Sequence, residues 1–175
     1  MDNLLTGHIS EAIGRRLAGT STLTQIAQIV TNLEHFQAAC TELERSLTIL
    51  RYVIICLPAG CSYCSIPRST QRGGTIRLTA AASFEATLSR SLERITGLIT
   101  SKLDQFFELS EYQWTPQTRE DAPSMYLYEL VNWLTTVVDS LIIKEAYKDE
   151  AYKGALKYIA ECLMVRDLRL QPTNH

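Results

Sequence analysis

With 175 residues, 46% of them hydrophobic and 21% charged, the chain is long enough for one domain with a real core and too apolar for a disordered or fibrous protein. Seventeen basic residues against nineteen acidic ones leave a formal charge of -2, which gives no electrostatic reason to wrap nucleic acid or to lie on anionic lipid. The longest apolar run, Tyr52 to Leu57, falls far short of the roughly 20 residues a spanning helix needs, so no transmembrane segment is expected.

Met1 to Ser10 carries Asp2 and no basic stretch ahead of an apolar core, unlike a secretory signal, and a cytosolic protein is expected. The cysteines are Cys40, Cys56, Cys61, Cys64 and Cys162, an odd number with three crowded together, which argues against a disulfide framework.

The first twenty residues place Leu4, Leu5, Ile9, Ile13 and Leu17 among Gly7, Gly14 and Gly19, and each glycine weakens a helix by roughly 1 kcal/mol relative to alanine. A short, frayed helix is expected there. Thr22 and Gln25 then resemble a capping box, and Leu23, Ile26, Ile29, Val30, Leu33, Phe36, Cys40, Leu43, Leu47 and Leu50 recur at three- and four-residue steps. That pattern is a long amphipathic helix, with Gln28, Asn32, Glu34, Gln37, Glu42 and Glu44 on its solvated side.

From Arg51 the residues are apolar, rich in cysteine and without helical period, and a polar loop turning on Gly73 and Gly74 follows. A second long helix is expected from about Thr79 to Trp114, with Phe84, Leu88, Leu92, Ile95, Leu98, Ile99, Leu103, Phe106 and Leu109 along one side. Pro116 and the polar run Gln117 to Asp121 end it. Asp121 and Pro123 open the next helix, where proline in the first turn loses nothing. Leu127, Leu130, Val131, Leu134, Val137, Val138, Leu141 and Ile142 give this helix a broad apolar face. A turn near Lys144 then leads into a last helix that uses Tyr147, Ala151, Ala155, Tyr158, Ile159, Cys162 and Leu163.

The chain therefore divides into N-terminal helices over 1–50, an irregular insert over 51–67, a polar loop and long helix over 68–115, a helical pair over 123–164 and an irregular tail over 165–175. Consecutive helices with short connections pack side by side, so the expected fold is all-α, an antiparallel helical bundle.

Little in this pattern points to chemistry. Cys61 and Cys64 form one Cys-x-x-Cys, half of a zinc site or a redox pair, but no second ligand pair lies at suitable spacing. They are weak metal candidates, kept as the basis of a competing reading as a helical adaptor with a cysteine-based metal site. Arg68, Arg72 and Arg77 flank a single Arg-Gly-Gly without repeats or interleaved aromatics, which is more simply a solvated loop than a nucleic-acid contact. No phosphate-binding glycine loop and no Glu-x-x-His pair occurs, and three histidines give a hydrolase triad little support. No enzyme activity and no cofactor are expected. Tyr126, Tyr128, Trp133, Tyr147, Tyr152 and Tyr158 cluster in the last two helices. Tyr128, with Tyr152 and Lys153, lies off the main stripe and marks a candidate partner surface.

The residue order of Gln28 to Glu44, Ser69 to Phe84 and Leu98 to Pro116, with the opening stretch, resembles a fungal form of the exocyst subunit Sec-fifteen, in a slice of its C-terminal half. The resemblance implies a rod of stacked helical bundles and a non-enzymatic role in vesicle tethering during exocytosis. The implied partners are other exocyst subunits and, in the full-length family, a Rab-family GTPase. The implied place is the cytoplasm, peripheral at secretory vesicles and at sites of polarised exocytosis on the plasma membrane. Arg51 to Pro67 and Val165 to His175 depart from it. Arg51 to Val53 and Pro67 with Arg68 are encodable by splice-donor and acceptor strings, so the insert reads as a translated intron.

Overall fold

The computed structural model describes residues 2–56, 76–109 and 125–170, with side-chain surroundings for 2–51, 76–108 and 125–164. Every element among them is helical: α1 (Asp2–Leu4), a π-helical segment (Leu5–Ser10), α2 (Glu11–Gly19), α3 (Leu23–Cys56), α4 (Thr79–Leu109), α5 (Met125–Ser140) and α6 (Glu145–Leu170). The chain forms two compact units, Met1–Gly19 with Asn32–Leu88, and Thr20–Thr31 with Ser89–His175. The long helices α3 and α4 each contribute residues to both.

In the first unit Leu17, Leu33, Cys40, Leu78, Ala80, Phe84 and Leu88 are buried. Phe84 is wholly enclosed, and its ring stacks on Phe36 with centroids 5.4 Å apart and planes 21° from parallel. Burying a side chain of this size stabilises the fold by about 1.5–3 kcal/mol. Phe36 meets Phe84 while Glu44 meets Leu78, so these parts of α3 and α4 run antiparallel. The residue ahead of α4, Leu78, has no side-chain oxygen with which to satisfy the helix's orphan N–H groups. Two carboxylates from elsewhere in the unit do so. Asp2 accepts hydrogen bonds from the N–H of Thr79 at 3.1 Å, the N–H of Ala80 at 3.0 Å and the Thr79 hydroxyl at 2.6 Å. Glu44 Oε1 accepts the Leu78 N–H at 2.7 Å.

The N-terminal stretch is thus helical from Asp2 to Gly19 rather than a single short helix, and it is pinned at two points. Beyond the Asp2 cap, the π-helical segment brings the buried Ser10 hydroxyl within 2.6 Å of that of Ser83. Burial pushes the Cys40 thiol upward, and the nearby carboxylates of Glu44 and Asp2 add to the effect, so this cysteine is a packing residue rather than a nucleophile.

In the second unit the core is built from Ile26, Ala27, Ile29 and Val30 of α3, from Ile95, Ile99, Leu103 and Phe107 of α4, and from Leu130, Leu134 and Val138 of α5. Thr22 provides the carbonyl for the first bond of α3, from the N–H of Ile26. The α5–α6 connection is short and held at both ends. The Leu141 N–H returns to Val138 O at 3.1 Å, and Ile142 O accepts the Thr31 hydroxyl at 2.7 Å. Lys148 Nζ lies 3.4 Å from Asp139 O in the last turn of α5, where a cation complements the helix dipole.

Tyr152 lies against Thr135 and Asp139 while Lys148 lies against Asp139, so α6 runs antiparallel to α5. The pairs Thr96–Gly154 and Asp104–Tyr158 instead ascend together, so α6 runs parallel to this part of α4. A Cβ on Gly154 would sit 3.4 Å from Thr96 Cγ2, and Ala151 and Ala155 are the buried residues on either side of it. Small residues thus lie on the side of α6 that meets Thr96 of α4.

Further expectations change. Helix α3 continues through Arg51–Cys56, and α6 through residues 165–170, where the sequence reading places an irregular insert and tail. Neither stretch contains glycine or proline, and extending an existing helix fixes one residue per hydrogen bond gained. The broad face assigned to α5 is also narrower. Leu130, Leu134, Val138 and the following Leu141 are buried, whereas Leu127, Val131 and Ile142 are exposed. On α4 the deepest aromatic near the end is Phe107, and Phe106 is half-buried against Trp133 with centroids 5.4 Å apart. Residues 57–67, with Cys61 and Cys64, and residues 110–124 lie outside the described residues.

Candidate functional site

Helix α5 is too apolar for the arc its neighbours cover. Met125, Tyr128 and Val131 follow one another at three-residue steps, which keeps them along one side of the helix, and they are 75%, 57% and 54% exposed. Helix α6 adds Leu156 at 58%. Because Tyr152 pairs with Thr135 and Asp139 across antiparallel helices, Leu156, one turn further along α6, lies level with Val131. The three α5 residues and Leu156 make an apolar strip across the α5–α6 pair, with exposed Lys153 and Asn132 at its edges.

The sequence-selected residues fall differently around this strip. Tyr128 lies within it, and Lys153 is exposed beside it. Tyr152 is half-buried, and its hydroxyl donates to Asp139 Oδ1 at 2.8 Å and lies 3.4 Å from Thr135 O. Burial, then the Asp139 hydrogen bond, hold this phenol up to about 12. Tyr158 donates to the Asp104 carboxylate, and that bond, then burial, then Cys162, push it far above the ordinary phenol range. Neither phenol changes charge near neutral pH, so both are struts between helices rather than acids or bases.

Several positioning residues carry no local signature. Arg94 Nη2 donates to Thr20 O at 2.8 Å and holds the turn between α2 and α3. Asp104 anchors Tyr158, while Asp2 and Glu44 cap α4. Each partner is distant in sequence.

A separate cleft of about 270 Å3 lies between α4 and α6 on the N-terminal side of Gly154. Leu92, Ile95, Ile143 and Ala151 give it apolar surface, Ser89, Thr96 and Tyr147 add polar atoms, and Glu93 and Glu150 stand at its rim. No group of three or more His, Cys, Asp or Glu residues capable of holding a metal ion occurs among the described residues. Nor is any helix among them long and apolar enough to cross a membrane.

The family model described as exocyst complex subunit Sec15 C-terminal matches residues 1–172. Exocyst complex component 6 of Mus musculus is 26% identical over 115 residues, 66% of this chain and 12% of that protein. Exocyst complex component 6B of Mus musculus is 25% identical over 161 residues, 91% of this chain and 18% of that protein. The Drosophila melanogaster exocyst complex component 6 is 24% identical over 141 residues, 80% of this chain and 16% of its own length. The chain spans less than one fifth of the length of these relatives. No solved structure matches. With an all-helical fold and a match over nearly its whole length, the chain belongs to the Sec15 C-terminal family of exocyst subunits.

Proposed function

We propose that this chain is a non-enzymatic segment of the exocyst vesicle-tethering complex and works by presenting helix faces to other exocyst subunits. The observation that carries the reading is the family match over residues 1–172. The apolar strip on α5 and α6 supports it, since an exposed row of large apolar side chains with polar neighbours has the make-up of a protein-contact surface. On this reading Tyr128 is the aromatic anchor of the contact, Lys153 is part of its rim, and Tyr152 sets the spacing of the two helices from behind. The protein resides in the cytoplasm and reaches secretory vesicles and sites of polarised exocytosis as a peripheral component. In the full-length family, the same subunit serves as effector of a Rab-family GTPase.

Co-expression of the chain with the other exocyst subunits, followed by single-step purification on a tag carried by the chain, tests this directly. Stoichiometric recovery of at least one subunit is expected, and recovery of none from a folded chain would refute it.

A further inference from the structure

The cleft between α4 and α6 has a composition that the apolar strip lacks. At about 270 Å3 it falls just below the roughly 300–1,000 Å3 of small-molecule sites, a size suited to one long side chain rather than a cofactor. Of the residues that give it apolar surface, Ile95 and Ala151 are almost completely buried. At the rim Glu93 comes from α4 and Glu150 from α6, both exposed, and neither makes an ion pair among the described residues.

Two of the cations near the cleft are held by other groups. Arg94 is held on Thr20 O at 2.8 Å, and Lys148 on Glu145 at 3.0 Å. A trough with apolar surface that ends in two carboxylates is the complement of an aliphatic stem ending in a cation.

We infer that this cleft receives an arginine or lysine side chain projected by a protein partner, its stem over Leu92 and Ala151 and its charge between Glu93 and Glu150. The inference rests on the reading of the chain as a protein-contact module and assigns that module a second, electrostatically selective contact. The strip supplies apolar area, and the cleft supplies register and charge selection.

Titration of the whole isotopically labelled chain with Nα-acetyl-arginine methylamide and with its lysine counterpart, followed by amide shifts, tests the inference. Saturable shifts centred on Leu92, Thr96, Tyr147 and Ala151 are expected for one or both. The uncharged citrulline counterpart, and the Glu93→Gln/Glu150→Gln chain, should bind at least about fivefold more weakly. Glu161→Gln, remote from the cleft, should leave binding unchanged.

Equal binding of citrulline, equal binding by the double variant, or non-saturating shifts spread over the acidic surface would overturn the inference. Tighter binding of spermidine than of either analogue would assign the cleft to a free polyamine and overturn it too. Recovery of exocyst subunits by a chain that fails the titration would remove this inference alone. Success in the titration without recovery of any subunit would remove the exocyst reading instead.

Discussion

Replacing Phe84 with alanine is the most direct probe of the first unit's packing. The ring is wholly enclosed and stacked on Phe36, so its removal forfeits the transfer energy of the ring and leaves a cavity that the flanking helices only partly fill. Such substitutions cost about 3–5 kcal/mol. The ring pair itself contributes roughly 0.5–1.5 kcal/mol of that, a share that a cycle with Phe36→Ala would isolate. With a urea slope of about 2 kcal/mol/M, the unfolding midpoint should fall by roughly 1.5–2.5 M. Since a domain has only about 5–15 kcal/mol in total, the milder Phe84→Leu is the companion variant, expected to lose less than about 1.5 kcal/mol. Urea unfolding followed by circular dichroism is the assay. A loss below about 1 kcal/mol for Phe84→Ala would show that the α3–α4 contact does not hold this unit together.

Gly97 is exposed in the interior of α4 with nothing within 4 Å of where a Cβ would sit, so Gly97→Ala should stabilise the chain by about 1 kcal/mol, read as a higher thermal midpoint. Asp2→Asn keeps the size of the capping side chain but removes its charge. It should speed hydrogen exchange at Thr79 and Ala80 while leaving Ile99 and Leu103 unchanged. The Thr79 hydroxyl and the Ala80 N–H hold the Asp2 carboxyl below its usual range, so this cap is present above the ordinary carboxylate pKa and is lost as acidification passes below it. The phenols have the opposite sign. Tyr152 is raised from 10.0 to about 12, so its contribution is complete below pH 10 and disappears as pH rises through about 12. Unfolding midpoints measured over that window should fall, and Tyr152→Phe should flatten the fall.

The helices were legible because their signal is local. Leu33, Phe36 and Cys40, or Ile95, Ile99 and Leu103, recur at the helical period and face a core whichever helix lies opposite. The turn near Lys144 was legible for the same reason, since the apolar period of α5 stops and a charged first turn begins. The ends of α3 and α6 were not, because a stretch without glycine or proline and without a clear helical period continues a helix as readily as it forms a loop.

The contacts that fix the helices relative to one another within each unit were hidden more deeply. Asp2 caps a helix that begins 77 residues away, and Tyr158 finds Asp104 across 54 residues. A carboxylate's residue type says that it will accept hydrogen bonds, but not from whom. Side-chain exposure was half legible: off-stripe Tyr128 stands exposed, whereas Tyr152, equally off-stripe in sequence, is tied to Asp139. The cleft left no trace in the sequence, since Glu93 and Glu150 look like ordinary solvated positions until α4 and α6 are placed side by side.

The most direct test of the protein-contact reading is a binding titration of the intact chain against the exocyst subunit it recovers, compared with a Tyr128→Asp/Val131→Asp chain. Both positions are exposed, so the double variant should fold with an unchanged thermal midpoint. Placing two carboxylates in the centre of an apolar contact should weaken binding by at least about a hundredfold. Equal affinity of the two chains would contradict the assignment of α5 and α6 as the surface through which this segment meets its complex.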